Sequence, residues 1–301
     1  MDKENNFSIL DFGNSKLRFS VFSFDLKNLF SETISTKTEL GNSILFDDIK
    51  KLIKKAEKKI STHINDIILL SDTPKSFVIN LSLNKNFDIK SNTKNAYKIL
   101  LLELKHLINH NYVNCEILHI IINKCIIDDE VFDELPKEKK IYNNIKIDFK
   151  VLCYPKEIIN NFRLNLKNNN INILNIFSTS YIKSLNFVKK LNLKKTSFLD
   201  IGLKRSTFIL YEDYKAKFIQ SIPIGGYHIT NDISKIFKIS LDEAENIKKL
   251  FNKSETEFSY NKNSNLNKLN IEKFLNKKIS IELLKKVILY RVQEIVDLPI
   301  D

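Results

Sequence analysis

Glycine and proline are scarce in this chain of 301 residues, with five of each, and tryptophan is absent. So little glycine and proline excludes a collagen-like or low-complexity chain. A chain this sparing with glycine retains it where the backbone needs a positive φ or a close approach. Four of the five glycines, Gly13, Gly202, Gly225 and Gly226, fall in two similar stretches and a Gly-Gly pair. These positions are therefore the candidates for functional turns.

Cysteine is also rare, and the three residues are Cys115, Cys125 and Cys153. An odd number without a Cys-x-x-Cys pair argues against a disulfide framework and against a cysteine zinc site. Their apolar, strand-like surroundings indicate buried, reduced thiols in a cytosolic protein.

Long apolar runs are missing as well. The richest apolar region, residues 98–127, is interrupted by polar side chains, and the N-terminus has no apolar signal core. The interrupting residues include Glu103, Lys105, His106, Glu116 and Lys124. The sequence therefore predicts a soluble protein.

Positive charge exceeds negative charge, and the formal net charge is +12. The basic residues are scattered over every segment and form no block interleaved with aromatic residues, so compositional bias explains them better than a nucleic-acid surface does. We expect no nucleic-acid partner. Hydrophobic residues make up 43% of the chain, which is typical of globular proteins, and the length allows two domains or one bilobal domain.

Hydrophobic periodicity predicts strands and helices in alternation. Residues 7–22 alternate as two strands around Gly13, and a third strand follows at 26–36. A helix is predicted at 46–60 and a buried strand at 65–72. This order indicates an α/β unit with a mixed sheet.

The pattern changes after Pro74, and residues 74–155 are predicted to form a compact α+β insert. Its predicted elements are strands at 77–84, 116–128 and 141–155, a helix at 93–111 and a solvated loop at 129–140. After residue 155, hydrophobic periodicity predicts helices at 156–168 and 176–190 with a short strand between them, and then three strands over 196–224. A helix is predicted at 240–251 and a loop at 254–270. Residues 271–298 are predicted to form a helix, a break and a longer helix. Ser240 and Glu243 form a capping box.

Two stretches, residues 9–22 and 197–232, share one pattern: apolar residues, Asp, an apolar residue, Gly, a polar turn and a second strand. Such a turn points backbone N–H groups at phosphates and needs Gly for the close approach. An Asp at the end of the first strand can hold Mg²⁺ through water or orient an attacking water. Two copies favour a nucleoside triphosphate site, although two ordinary hairpins remain the alternative.

Asp11 and Asp200 are therefore the candidate catalytic residues and the candidate Mg²⁺ ligands through water. The candidate phosphate-binding residues are Gly13, Asn14, Ser15 and Lys16 in the first turn, and Gly202, Ser206 and Thr207 in the second.

Three further patterns follow the second turn. Residues 223–232 have the pattern P-I-G-G-x-x-I-T-x-D, residues 244–248 have A-E-x-x-K, and residues 291–295 have R-x-x-E-I. Together with D-x-G-x-S-K at residues 11–16, they resemble the FtsA family of bacterial cell-division proteins, in the actin-like ATPase superfamily. The Gly-Gly-x-x-Ile-Thr block is the most specific part.

The resemblance implies an α/β fold of the actin-like, ribonuclease H-like type, with two lobes and an FtsA-type insert. It implies ATP and Mg²⁺ as cofactors, with Gly225, Gly226, Glu245 and Lys248 at the nucleotide. The implied domains are a first lobe at 1–73 and 156–194, an inserted subdomain at 74–155, an incomplete second lobe at 195–234 and 280–301, and a small subdomain at 235–279.

The function that the resemblance implies is a polymerising scaffold that links FtsZ filaments to the membrane and recruits later division proteins. Its location would be the cytoplasmic face of the inner membrane at the division site, with the FtsZ contact in residues 235–279. FtsA-like proteins attach through a C-terminal amphipathic helix that this chain does not include. Lys204 replaces a family glycine in the second turn, so we expect at most weak ATPase activity. A non-hydrolysing adaptor and a small-molecule kinase of the same superfamily are the alternatives.

The remaining polar candidates favour structural roles. His228 is expected to cap or to lie at the surface, and Ser178 to begin a helix as its N-cap. His106, His110 and His119 lack the carboxylate or thiol spacing of a metal site.

Overall fold

The computed structural model describes residues 6–35, 43–132, 135–136, 141–258 and 280–298. The chain divides into two compact units. The first comprises Met1–Asp200 and Thr207–Ser221, and the second comprises Ile201–Ser206 and Ile222–Asp301.

The first unit contains a mixed five-stranded sheet with the strand order β3-β2-β1-β4-β9. The pairs β1–β2 and β2–β3 are antiparallel, whereas β1–β4 and β4–β9 are parallel. Alternating residues of β1 and β2 are buried and form one hydrophobic core with helices α1 and α3. The strands are β1 (Phe7–Phe12), β2 (Lys16–Phe22), β3 (Asn28–Ser35), β4 (Asp66–Ser71) and β9 (Asn172–Ser178), and the helices are α1 (Ser43–Ile60) and α3 (Lys156–Lys167).

The segment predicted as an insert forms its own four-stranded antiparallel sheet, in the order β5-β8-β6-β7, with α2 packed on one face. Its strands are β5 (Phe77–Asn92), β6 (Cys115–Ile127), β7 (Glu130–Phe132) and β8 (Ile141–Pro155), and its helix is α2 (Thr93–Asn111). Two predictions need correction here. β5 is twice as long as predicted, because it pairs along most of β8, and β7 lies in the predicted loop, because it pairs with the end of β6.

A third sheet has three strands in the order β10-β11-β12. Its buried residues Ile209, Tyr211 and Ile219 share a hydrophobic core with Leu152 of β8 and Val188 of α4. This core lies within the first unit. The elements are α4 (Thr179–Lys190), β10 (Lys195–Ile201), β11 (Ser206–Glu212) and β12 (Lys215–Ile222).

The second unit contains three described helices, of which α5 contacts both α6 and α7. They are α5 (Gly226–Phe237), α6 (Leu241–Phe258) and α7 (Ile281–Asp297). The capping box of α6 is confirmed: Glu243 N–H donates to Ser240 Oγ at 3.2 Å, and Ser240 N–H donates to a Glu243 carboxylate oxygen at 2.8 Å. The loop predicted for residues 254–270 is wrong over its first five residues, because α6 continues to Phe258. The rest of that prediction lies outside the described residues.

The three cysteines are free and buried, as predicted. Burial raises the pKa of the Cys125 thiol to about 11, which keeps it protonated and unreactive at neutral pH. None of the helices in the described ranges is long and apolar enough to cross a membrane. The predicted division into four subdomains stays a prediction.

Candidate functional site

The first predicted phosphate turn connects β1 to β2. Gly13 N–H donates to the Lys16 carbonyl at 3.0 Å, which closes the turn. Ser15 and Lys16 are exposed, while Gly13 and Asn14 are partly exposed. The turn therefore offers a hydroxyl and an ammonium group to solvent, and these groups fit a phosphate.

Asp11, at the end of β1, lies opposite Arg18 of β2 in the antiparallel register. The Arg18 guanidinium donates to one Asp11 oxygen at 2.7 Å, and Thr179 Oγ1 donates to the other at 3.3 Å. The side chain of Asp11 is 16% exposed. A cation built into the protein therefore already balances this carboxylate.

A second carboxylate, Asp72, follows β4 and holds the start of α4. Its Oδ2 accepts from the Ser180 N–H at 2.9 Å and also lies 2.9 Å from the Ser180 hydroxyl. Its Oδ1 accepts from the Ser178 hydroxyl at 2.6 Å and from the Tyr154 hydroxyl at 3.0 Å. A carboxylate at a helix N-terminus also complements the helix dipole. Asp72 thus organises the region where β4, β9 and α4 meet.

Asp200, at the end of β10, reaches the same place. The Ser180 hydroxyl lies 2.6 Å from Asp200 Oδ2 as well as 2.9 Å from Asp72 Oδ2, and Ser180 is fully buried. Because Thr179 contacts Asp11 and Ser180 contacts Asp200, the first two residues of α4 bring both predicted catalytic aspartates to one helix end.

These residues do not by themselves form a cation site. Within the described residues, no group of three His, Cys, Asp or Glu side chains is arranged to hold a metal ion. Asp11 is paired with Arg18, so Mg²⁺ would have to compete with a guanidinium for it. The Mg²⁺ assignment of Asp11 and Asp200 stays a prediction that this geometry does not favour.

The second predicted turn lies in the second unit, against the start of α5. Gly202 N–H donates to the Arg205 carbonyl at 2.8 Å and closes the turn. Gly226 N–H then donates to the Gly202 carbonyl at 2.8 Å, and Tyr227 N–H donates to the Leu203 carbonyl at 2.7 Å. The first N–H groups of a helix have no acceptor inside the helix. Here the carbonyl groups of the turn accept their hydrogen bonds.

Gly225 has a physical reason to be glycine that needs no ligand. A Cβ at this position would lie 2.4 Å from the Gly202 carbonyl oxygen and 2.8 Å from that of Leu203. The Gly225 N–H donates to His228 Nδ1 at 3.1 Å, which confirms the capping role expected for His228. Close packing of Gly225 against the turn at Gly202 therefore accounts for this glycine. The contact of the Gly-Gly pair with a nucleotide stays a prediction.

The hydroxyl groups of Ser206 and Thr207 are engaged inside the protein. Ser206 Oγ donates to the Ile224 carbonyl at 2.7 Å, and Thr207 Oγ1 lies 2.8 Å from Ser221 Oγ. Both residues are buried. Their assignment as phosphate ligands stays a prediction. In the structure both hydroxyls form hydrogen bonds inside the protein.

Glu245 and Lys248 meet at the contact between α5 and α6. Lys248 Nζ lies 2.6 Å from Glu245 and donates to Gly226 O at 2.9 Å, and Thr230 Oγ1 donates to Glu245 at 2.6 Å. Burial raises the pKa of Glu245, but the hydrogen bonds from Lys248 and Thr230 outweigh it, and the net pKa is lowered. The structure thus joins the G-G-x-x-I-T and A-E-x-x-K patterns in one polar network.

Arg291 of the R-x-x-E-I pattern completes the junction of helices in this unit. Its Nε donates to Asp232 Oδ2 of α5 at 2.6 Å, and it also pairs with Glu294. Asp232 belongs to the pattern that begins at Pro223, so the two patterns are joined by an ion pair. The hydrogen bond that Arg291 donates to Asp232 raises the pKa of Arg291. Burial opposes this effect, and the negative charges of Asp232 and Glu294 add to it.

His119 does not join His106 and His110. It lies beside β9 and α4, where its ring is 5.5 Å from the Phe177 ring and 4.6 Å from the Tyr181 ring. Ser178 N–H donates to His119 Nε2 at 3.0 Å, and the Ser178 hydroxyl caps α4 as predicted, accepting from Tyr181 N–H at 3.3 Å. Burial lowers the pKa of His119 to about 4.

The sequence patterns did not single out Asp72 and Arg18, although a sequence signal exists for each. Asp72 follows the buried strand β4 just as Asp11 closes β1, and the ends of neighbouring parallel strands meet at one sheet edge. Arg18 lies opposite Asp11 once the hairpin register is fixed by the turn at Gly13.

Comparisons with known proteins give a family match over part of the chain and structural similarity to solved proteins. Residues 198–288 match the family described as Cell division protein FtsA. The PilM-PilN type IV pilus biogenesis complex has a TM-score of 0.57 at 13% identity, with 85% of this chain and 72% of that chain covered. A Bacteroides thetaiotaomicron protein described as having an actin-like ATPase fold gives a TM-score of 0.37 at 13% identity, with 80% of this chain and 81% of that chain covered. No curated protein matches this sequence significantly.

The predicted actin-like fold is confirmed, and so is the resemblance to FtsA over the matched residues. The matched stretch contains the second turn, the Gly-Gly junction and the network of Glu245 and Lys248, which are the features described above for the second unit.

Proposed function

We propose that this chain is an FtsA-type scaffold that responds to a nucleotide and assembles with the bacterial division apparatus. The observation that carries the proposal is the FtsA match over residues 198–288. The patterns within that match form one connected structure, since Gly226 contacts both the second turn and Lys248.

ATP is the proposed ligand. The exposed Ser15 hydroxyl and Lys16 ammonium of the first turn fit its phosphate groups. Bound ATP would supply different contacts in two conformations of the protein, and only such a difference can shift an equilibrium between them. Mg²⁺ would accompany ATP as its counterion, bound through water.

We expect hydrolysis to be weak. Asp11 is engaged by Arg18 and Thr179, and Asp200 by Ser180, so each candidate catalytic carboxylate already has donors in the protein. Lys204 occupies the second turn in place of the family glycine. These observations favour a nucleotide-binding scaffold over an efficient ATPase or a kinase.

The proposed partners are FtsZ filaments, further copies of this chain and later division proteins. The proposed location is peripheral, at the cytoplasmic face of the inner membrane at the division site. The FtsZ contact is proposed for residues 235–279, whose described part comprises the end of α5 and helix α6.

A thermal-shift titration tests nucleotide binding. ATP should raise the melting temperature of the wild type, since a ligand that binds only the folded state stabilises it. Lys16→Glu should remove that rise. Lys27→Glu is the matched control, because Lys27 is also exposed and lies in the connection between β2 and β3. It should respond to ATP as the wild type does. No rise at millimolar ATP, with partner binding retained, would leave the non-hydrolysing adaptor as the function.

Co-sedimentation tests the division assignment. In samples without ATP, the chain should pellet with FtsZ filaments and stay in the supernatant when the filaments are absent. A chain that never pellets with FtsZ contradicts the assignment, whatever the result with ATP.

A second candidate function is a scaffold in type IV pilus biogenesis. It is favoured by the TM-score of 0.57 to the PilM-PilN complex, which extends over 85% of this chain. The discriminating experiment measures binding of this chain to a PilN protein and to FtsZ from the same organism. Binding to PilN alone would replace the division assignment.

A further inference from the structure

A lysine lies almost fully buried in the middle of the insert sheet. Lys150 of β8 is 6% exposed and lies between Asn80 of β5 and Ile121 of β6 in the sheet register. Its neighbours along the strand, Phe149 and Val151, face the opposite side and pack in the core with α2. Lys150 therefore projects from the face that α2 does not cover.

This ammonium group has a weak partner. Its Nζ donates to Asn80 Oδ1 at 3.0 Å, and within the described ranges no carboxylate forms an ion pair with it. An ammonium has three N–H donors, so a single neutral acceptor leaves most of its hydrogen-bonding capacity unused. A buried charge without a counterion is costly, and burial, followed by the nearby charge of Lys217, lowers the pKa of Lys150.

The lysine borders a cavity of about 320 Å³ within the first unit. Polar side chains on its wall include Asn80, Gln220 and Ser221, and aromatic rings are supplied by Phe77 and Phe218. The two rings are 37% and 38% exposed, so apolar surface is available at the cavity. The wall thus combines one buried cation, neutral hydrogen-bonding groups and aromatic surface.

We propose that this cavity binds a small organic anion, with its carboxylate or phosphate group on Lys150 and an apolar part against Phe77 and Phe218. The anion would supply the missing counterion and accept the unused N–H donors of the lysine. The cavity volume suits a ligand of a single ring or short chain with one charged group. No residue that lines the cavity belongs to the proposed nucleotide turns, and the proposal does not depend on ATP binding.

Isothermal titration with benzoate and phenyl phosphate tests the proposal, with phenol as the uncharged probe. Both anions should bind the wild type, at least about tenfold more tightly than phenol, because a charge-assisted hydrogen bond to a buried lysine is strong. The arm with the lower dissociation constant identifies carboxylate or phosphate as the preferred group. Lys16→Glu, which should lose the ATP response, should still bind both anions as the wild type does, so a failure of ATP binding and a failure of anion binding can be told apart.

Lys150→Met removes the charge and keeps a similar apolar stem. It should weaken anion binding at least about tenfold while making the free protein more stable, because the unpaired buried charge is gone. Lys146→Met is the matched control, since Lys146 lies on the same strand and face but is exposed. It should bind the anions normally.

Gln220→Glu provides an independent test that does not alter Lys150. The new carboxylate would lie at the cavity wall and would act as an internal counterion, so it should abolish anion binding and leave the fold intact. The proposal is overturned if neither anion binds the wild type at millimolar concentration, or if Lys150→Met or Gln220→Glu binds as the wild type does.

Discussion

At the scale of single residues, His119 connects the insert sheet to the start of α4. Its Nε2 accepts a hydrogen bond from Ser178 N–H, so this nitrogen must be unprotonated. Burial lowers the pKa of the ring from 6.5 to about 4. Because the unfolded chain takes up a proton near pH 6.5 and the folded chain does not, the folded state loses stability as the pH falls between these two values.

We therefore expect the free energy of unfolding to fall by roughly 1–3 kcal/mol between pH 6.5 and pH 4 on account of His119. His119→Phe should lower stability by about 1 kcal/mol at pH 7, through the lost acceptor, and should flatten the pH dependence. Urea unfolding followed by far-UV circular dichroism measures both effects, since tryptophan is absent. His110→Gln, at an exposed position of α2, is the control, and an unchanged pH slope in His119→Phe would contradict the prediction.

The adjacent residues Gly225 and Gly226 should respond differently to one added methyl group. Gly225→Ala places a Cβ 2.4 Å from the Gly202 carbonyl oxygen, whereas Gly226→Ala meets its nearest atoms at 3.6 Å. The first substitution should cost about 1–3 kcal/mol through overpacking. The second should be close to neutral, because alanine also favours the helix. Equal unfolding free energies for the two variants would show that the junction is loose.

At the scale of elements, the N-terminus of α4 depends on Asp72. Asp72→Asn puts an amide group where the donors of Ser178, Ser180 and Tyr154 converge, and it removes a charge that complements the helix dipole. We expect a loss of about 2–4 kcal/mol in the free energy of unfolding. Asp66→Asn is the control on the same strand, since Asp66 is exposed and pairs with Asn172 through a hydrogen bond of 3.3 Å. Its stability should change by less than about 0.5 kcal/mol.

Patterns of neighbouring residues predicted most helices and strands, because hydrophobic periodicity, turn residues and helix caps are set by residues close together in the sequence. Gly13 within alternating residues gave the first hairpin, and Ser240 with Glu243 gave the start of α6. The full length of β5 and the presence of β7 were not predicted, since strand length depends on pairing with residues far along the chain. The candidate site was also predicted only in part. Its turns and aspartates follow from sequence patterns, whereas the hydrogen-bond partners of Asp11, Ser206 and Lys150 depend on the tertiary structure.

At the scale of the whole molecule, the net charge of +12 opposes the proposed self-assembly. Like-charged copies repel over about 30 Å at 0.01 M salt but only about 8 Å at 0.15 M. Assembly with ATP, measured by sedimentation velocity, should therefore strengthen as salt rises over this range. A sample without ATP is the control. Assembly that weakens with salt would instead indicate an interface of complementary charges.

The contact between Gly225 and the turn at Gly202 also has an evolutionary consequence. Because no side chain fits between these two backbones, residue 225 can change only if the turn at residues 202–205 widens at the same time. The two stretches, separated along the chain by a complete β-hairpin, are therefore expected to vary together in related sequences. A substitution at residue 225 without a change in the turn would give a destabilised protein. Residue 226 can be substituted without a change elsewhere.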